Sequence, residues 1–164
     1  MGYIFSSQYT DFSLYKLVIK QTLQDQFIQK WYSSIDNSSR GQYYKLFKNQ
    51  FGIENYLLRL PETIRLWLPK LRTCNLKIPI ETGRWYNIPK TERKCTLCDE
   101  GIGDEYHYLF MCNNDYVSDL RKKYIPKYYI TYPSLLKMQN MFSLCHSKLL
   151  SNVSIFFKKL SLLI

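Results

Sequence analysis

Cys95-Thr96-Leu97-Cys98, then eight residues, then His107, then four residues, then Cys112 place three thiols and an imidazole within a short stretch. Two cysteines separated by two residues can turn both sulfurs toward one point, and a histidine and a third cysteine a short loop later complete the tetrahedral N/S shell that Zn²⁺ prefers. Four protein ligands leave no coordination position open. The chemistry expected is therefore one structural Zn²⁺ that folds a small module, rather than a catalytic ion that activates water. The competing reading makes these reduced core cysteines with His107 packed on aromatic rings, since isolated buried cysteines are common. Four ligand types gathered here, in a chain with only 5 Cys and 2 His, argue for the metal. Cys74 and the Cys145-His146 pair lack partners at ligand spacing and read as core residues.

Positioning such ligands needs a turn, a return loop and a helix. Asp104 can cap a helix that begins at Glu105 and runs through the apolar and aromatic residues to Cys112. Residues five apart on a regular α-helix point about 140° away from each other, so His107 and Cys112 cannot both ligate from one helical face. Cys112 is expected where the helix frays, at Asn113-Asn114. Gly101 and Gly103 suit the tight loop that returns the chain from Cys98.

The segments Leu71-Arg72-Thr73-Cys74-Asn75, Ile78 to Trp85, Arg93 to Cys98, Asp104 to Leu109, and Cys112 resemble the C-terminal region of reverse transcriptases from non-LTR (LINE-like) retrotransposons. In those polyproteins a Cys/Cys/His/Cys zinc region follows the polymerase domain, and a basic Arg-Trp segment leads into it. The resemblance covers Leu71 to Cys112 and is looser over the flanks. It implies engagement of nucleic acid, RNA or DNA, with a reverse transcriptase domain as a second partner. No polymerase or endonuclease is expected in this chain. It has no Asp-Asp pair for a polymerase palm, no Gly-rich phosphate loop, and no Gly-x-Ser-x-Gly or His-Glu-x-x-His sequence. The expectation is a protein without enzymatic activity or a small-molecule substrate.

Charge points the same way. The chain of 164 residues carries a net charge of +10, which favours an anionic partner. Lys70, Arg72, Lys77, Arg84, Lys90, Arg93 and Lys94 face only Glu81 and Glu92, giving +5 in one segment, whereas Cys95 to Cys112 holds four acids and no Lys or Arg. The contact surface is thus expected on the arm before the zinc ligands, with Arg121, Lys122, Lys123 and Lys127 as a second basic cluster. Trp85 and Tyr86 interrupt the arm. Aromatic faces between cations suit base stacking beside neutralised phosphates, and packing of Trp85 on a core is the alternative.

The remaining pattern is mainly α: a helical body with a small embedded Cys-x2-Cys-x8-His-x4-Cys zinc module. Three segments are expected: residues 1–70 as an N-terminal helical segment, 71–127 as basic arm and zinc module, and 128–164 as a C-terminal helical pair. Phe12 to Tyr32 reads as a long helix with a wide apolar face that wants packing on more than one side, and Ser33 to Gly41 as a break. Short helices are expected over Gln42 to Phe51, where a strand remains possible, over Glu54 to Leu60, and over Pro61 to Leu68, stopped or kinked by Pro69. Leu76 to Trp85, with Pro79 and Gly83, is expected to be extended. Helices follow from Asn114 or Asp115 to Tyr124, from Pro133 to Cys145, and from Lys148 to Leu163, the last two antiparallel. No apolar run reaches the roughly 20 residues that a bilayer requires, and no secretory signal is visible. The cysteines then read as reduced thiols and zinc ligands, consistent with nucleus or cytoplasm and not with secretion.

Overall fold

The computed structural model describes residues 12–38, 42–48, 50–143 and 147–164. They are mainly helical, with one isolated antiparallel bridge between Lys94 and Ile102 and no strand among the described residues. The chain divides into two compact units, Met1–Ser39 and Arg40–Ile164.

In the first unit the long helix expected from Phe12 is α1, Phe12–Asp36. It continues through Ser33 and Ser34, where the break was expected. The Ser34 hydroxyl donates to the Lys30 carbonyl within the helix, and the Asn37 amide closes the end by donating to the Ser33 carbonyl. No residue of α1 is buried, and Phe12, Leu14, Leu17 and Leu23 are exposed.

The second unit begins with short helices: α2 (Tyr44–Phe47), α3 (Asn55–Arg59), α4 (Glu62–Arg65) and α5 (Trp67–Arg72). The single helix expected over Pro61 to Leu68 is thus two. Pro69 does not stop the second, because it lies in the first turn of α5, where a backbone N–H would have had no helical partner anyway. Leu76 to Trp85 departs further from expectation: instead of an extended arm, Pro79–Trp85 is α6, with Pro79 as its first residue. Proline's fixed φ favours a helix start as much as it forbids a helix interior. Gly83 is tolerated inside α6 because the Arg93 side chain lies where a β-carbon would be, 2.6 Å from that position at Cγ.

A 3₁₀ turn (Lys90–Glu92), a π-helical turn (His107–Met111), α7 (Asp115–Tyr124), α8 (Lys127–Ile130), α9 (Leu135–Ser143) and α10 (Ser147–Leu160) complete the unit. Asn114 caps α7 by accepting from the Val117 N–H, as the sequence suggests. α10 buries Leu150, Val153, Phe156, Phe157 and Leu160 and packs against α4, α5 and α7. Leu68, Ile78, Tyr108 and Phe156, drawn from all three expected segments, belong to the same core. Cys74 is buried on the turn after α5. Cys145 and His146 lie outside the described residues.

Arg72 fastens this body. Only 3% exposed, it pairs with Glu54 at 3.0 Å, donates to the Phe47 carbonyl at 2.8 Å, and sits between the rings of Phe47 and Tyr56. Arg72→Met keeps the side-chain bulk and leaves the Phe47 carbonyl and one Glu54 oxygen without their donor. We expect a loss of about 1–3 kcal/mol of stability, read as a lowered urea midpoint.

Candidate metal centre

The four ligands arrive on two pieces of backbone. Cys95 and Cys98 lie on a turn closed by Asp99 N–H to Cys95 C=O at 2.9 Å. The chain returns through Asp99 (φ 55°) and Gly101 (φ 70°), then runs antiparallel to residues 93–95, with Cys95 N–H on the Gly101 carbonyl and Gly103 N–H on the Arg93 carbonyl. Gly103 has to be glycine: a β-carbon there would stand 2.8 Å from Pro79 Cγ and 3.1 Å from the Cys95 α-carbon. Asp104 then caps the next helical segment, its Oδ1 accepting from the His107 N–H at 2.8 Å. Its Oδ2 accepts from Tyr43 Oη and Gln42 Nε2, which ties the start of α2 to the cap.

The five-residue separation of His107 and Cys112 is met by a change of helix type. Cys112 does not sit on a frayed α-helical end: its N–H donates to the His107 carbonyl at 2.8 Å, the i to i+5 bond of a π-turn. One extra residue in the turn carries Cys112 around to the side of His107. The Sγ and ring-nitrogen atoms of Cys95, Cys98, His107 and Cys112 consequently all lie within 4.8 Å of one another. Cys95 Sγ is 3.8 Å from Cys112 Sγ, and Cys98 Sγ is 3.3 Å from His107 Nε2. Ligands at about 2.3 Å (S) and 2.0 Å (N) from a tetrahedral centre would stand about 3.8 Å (S to S) and about 3.5 Å (S to N) apart, so the cluster is within metal-binding distance.

Electrostatics fit a cation. Burial opposes ionisation of Cys95, yet the Tyr108 hydroxyl and the N–H groups of Leu97 and Cys98 overcome it, and the thiol is more acidic than an ordinary cysteine. Burial pushes the Cys112 thiol up to about 12, against a lowering contribution from the Asn114 N–H. Burial also lowers the basicity of His107, so its ring is neutral near pH 7 and free to ligate. The Tyr108 hydroxyl is buried beside Cys95 and Thr96, and a thiolate at Cys95 would be its acceptor. Glu105, beside the cap, is 1% exposed, and burial pushes its carboxyl up to about 7.

The basic residues divide into interior and surface groups. Arg121, 8% exposed, donates from Nη2 to the carbonyls of both Tyr108 and Cys112 and so holds the end of the π-turn from α7. Arg72 is buried in the body described above. Arg93 donates to the Ile88 and Ile80 carbonyls, and Arg84 pairs with Glu81 at 3.4 Å. Lys70, Lys77, Lys90, Lys94, Lys122, Lys123 and Lys127 are exposed, as are Trp85 (62%) and Tyr86 (75%). Trp85 is therefore not packed in the core. Two residues that hold the centre, Gln42 and Tyr43, left no sign in the sequence, because they reach Asp104 across about sixty positions.

No protein family model, curated protein or solved structure matches this chain.

Removing the guanidinium that joins α7 to the π-turn tests its part in presenting Cys112. Arg121→Met leaves the Tyr108 and Cys112 carbonyls without their donor and is expected to cost about 1–3 kcal/mol in metal-free protein, measured by urea unfolding. Arg121→Lys should recover part of this, since a single ammonium can take over some of the bonds but lacks the planar fork.

Proposed function

We propose that this chain is a non-catalytic nucleic-acid-binding module folded around one structural Zn²⁺. The observation that carries the reading is the pairing of an N/S₃ cluster with a solvent-facing aromatic ledge, Trp85 and Tyr86, at the end of α6 among exposed lysines. Zn²⁺ suits three thiolates and an imidazole in tetrahedral array, and all four positions are filled by protein, so the ion would act as a cross-link. Three thiolates and a divalent ion leave a net charge of −1, which the buried Arg121 guanidinium offsets from beside Cys112. Large aromatic faces held in water next to cations stack on unpaired bases while the ammonium groups neutralise phosphate.

Support for the partner comes from which cations face solvent. Lys90 and Lys94 follow the ledge in sequence, and Lys122 and Lys127 line a hollow of about 500 Å³ together with Ser118 and Thr131. Arg72 and Arg121 are omitted from the proposed contact set because both are buried and bound to carbonyls. The resemblance to the region following a retrotransposon polymerase supports RNA or DNA as partner.

Elemental analysis of the purified chain should give one zinc per molecule, lost in His107→Ala. Binding must expel the Cys112 proton, held up to about 12 in the metal-free protein, so zinc affinity should fall as pH is lowered from 8 toward 6. A single-stranded oligonucleotide should bind with log affinity falling against log salt by roughly 0.7 per neutralised phosphate. Trp85→Ala with Tyr86→Ala should weaken binding by about 1–3 kcal/mol per stacked base lost without changing that slope, while Lys90→Ala with Lys94→Ala should reduce the slope. Unchanged affinity in both double variants would sink the assignment of this surface.

A second reading, a protein-interaction segment that packs on a polymerase domain or another polypeptide, is favoured by α1. Its Phe12, Leu14, Leu17 and Leu23 are exposed on more than one side of the helix, so a partner would have to pack around it. On this reading sedimentation without nucleic acid shows concentration-dependent association that Leu17→Lys with Leu23→Lys abolishes. A monomer at all concentrations counts against it.

A further inference from the structure

α1 is a helix of 25 residues of which none is buried. Most helical stability in proteins comes from packing an apolar face, so a helix this long that buries nothing lacks its usual support. The spacing of its apolar residues says which face a partner would cover. Written in heptads from Leu14, the helix has Leu14, Gln21, Ile28 and Ile35 at a and Leu17, Gln24 and Trp31 at d. Five of these seven seam positions are apolar and none is charged. The next-best register, with Leu14 at d, also holds five apolar residues but sets Asp25 in the seam. Leu14 and Leu17 are exposed, and Ile28, Trp31 and Ile35 are half-buried.

The charges beside the seam decide the partner and its direction. Lys20 at g and Asp25 at e are the only charged residues in the flanking positions, while Lys16 and Lys30 fall at c and Asp36 at b. Gln21 Nε2 donates to Asp25 Oδ1 at 2.8 Å, which draws that carboxylate toward the seam. Lys20 is exposed, and no ion pair among the described residues engages it. When two copies of a heptad helix pair in parallel, a g residue faces the e residue five positions further along the other strand. Lys20 and Asp25 are five positions apart, so a parallel pair of α1 helices sets opposite charges together on both flanks. An antiparallel pair faces g with g and e with e, and the two never meet. Phe27 at g and Tyr32 at e have the same five-residue offset and would flank the seam with rings.

We propose that a second copy of this chain docks on the Leu14–Ile35 stripe, the two α1 helices forming a parallel two-stranded coiled coil with Lys20 of one copy against Asp25 of the other. The inference rests on the interaction reading of α1 and names its partner; it uses neither the metal nor the nucleic acid. Gln21 meets Gln21 across the seam, where an amide can both donate and accept, and a slip of one heptad would set it against Ile28 or Leu14. Aligned helix dipoles oppose the pair weakly, because Phe12 and Asp36 at the ends are exposed and solvent screens them. Phe12 and Leu23 lie off the stripe, at f and c. Lys16 Nζ stands over the Phe12 ring at 4.6 Å, and a singly exposed leucine is ordinary on a surface.

Sedimentation equilibrium of the full chain without nucleic acid should show a monomer–dimer equilibrium. Lys20→Glu and Asp25→Lys each put like charges on both flanks and should weaken dimerisation about tenfold, the scale of reversing two surface ion pairs. An equimolar mixture of the two variants should dimerise as tightly as the parent, since each cross-pair is again opposite in sign. Leu17→Lys with Ile28→Lys should abolish dimerisation with the urea midpoint unchanged, and Leu23→Lys alone should leave it intact. Benzoylphenylalanine in place of Ser13, a g residue, should cross-link near Val18 of the second copy. A monomer at every concentration would sink both this proposal and the interaction reading. Association that survives Leu17→Lys with Ile28→Lys, that is lost in Leu23→Lys alone, that ignores both charge variants, or that cross-links position 13 near residues 30–35 would overturn the parallel pair and leave α1 as an interface for another polypeptide surface.

Discussion

The hydrogen bond from the Cys112 N–H to the His107 carbonyl is the constraint around which the second unit is arranged. An α-helical i to i+4 bond at this point would turn Cys112 away from the histidine, and no side-chain rotation could recover a shared centre. The wider turn is intrinsically less favourable than the α-form and needs support at both ends. Asp104 supplies it at the start, by capping the His107 N–H, and Arg121 at the finish, by donating to the Tyr108 and Cys112 carbonyls. Both supports are themselves secured elsewhere. Asp104 accepts from Tyr43 and Gln42, and Arg121 is carried on α7, whose inner face packs on α10.

Arginine and lysine have separate employment in this chain. Arg72, Arg93 and Arg121 each donate to backbone carbonyls, and two of the three are buried. A planar guanidinium can serve several acceptors at once and is weakly hydrated, so it tolerates the interior. Lys70, Lys77, Lys90, Lys94, Lys122, Lys123 and Lys127 stay in water, whereas Lys48 and Lys137 donate to backbone carbonyls. A count of positive residues along the sequence therefore overstates the charge available to a partner: the +5 of residues 70 to 94 is carried on the surface mainly by Lys70, Lys77, Lys90 and Lys94.

The Cys/His cluster was legible because metal coordination restricts both residue type and spacing, and the helical character was legible because apolar periodicity is local. What could not be read depended on distant contacts. Gly83 and Pro79 argued for an extended arm, yet α6 forms, because Arg93 fills the space beside Gly83 and Pro79 packs against Gly103. The angular conflict between His107 and Cys112 was visible in the sequence, but its resolution was not: a frayed end and a π-turn both relieve it. Only the Arg121 bonds to the turn's carbonyls distinguish them, and nothing in the spacing of residue 121 announces those bonds. Arg72 likewise reads as one more cation of the arm until Glu54 and Phe47 are seen beside it.

A short chain of contacts joins the cysteine turn to the aromatic ledge. The Ile80 N–H donates to the Gly103 carbonyl, Pro79 meets Gly103, and Gly103 in turn donates to Arg93, two residues before Cys95. From there the Arg93 side chain reaches back to the Ile80 and Ile88 carbonyls, bracketing α6 and the residues that follow Trp85 and Tyr86. A metal that fixed Cys95 would fix Arg93 and the Gly103 segment, and through them the end of α6. Preorganised aromatic rings lose less freedom on meeting a ligand than rings on a mobile arm, so a structural ion can raise affinity at a surface it never touches. On the proposed reading, this is how a closed metal site would serve binding at a surface it does not touch, with the ledge and the cluster acting as one device.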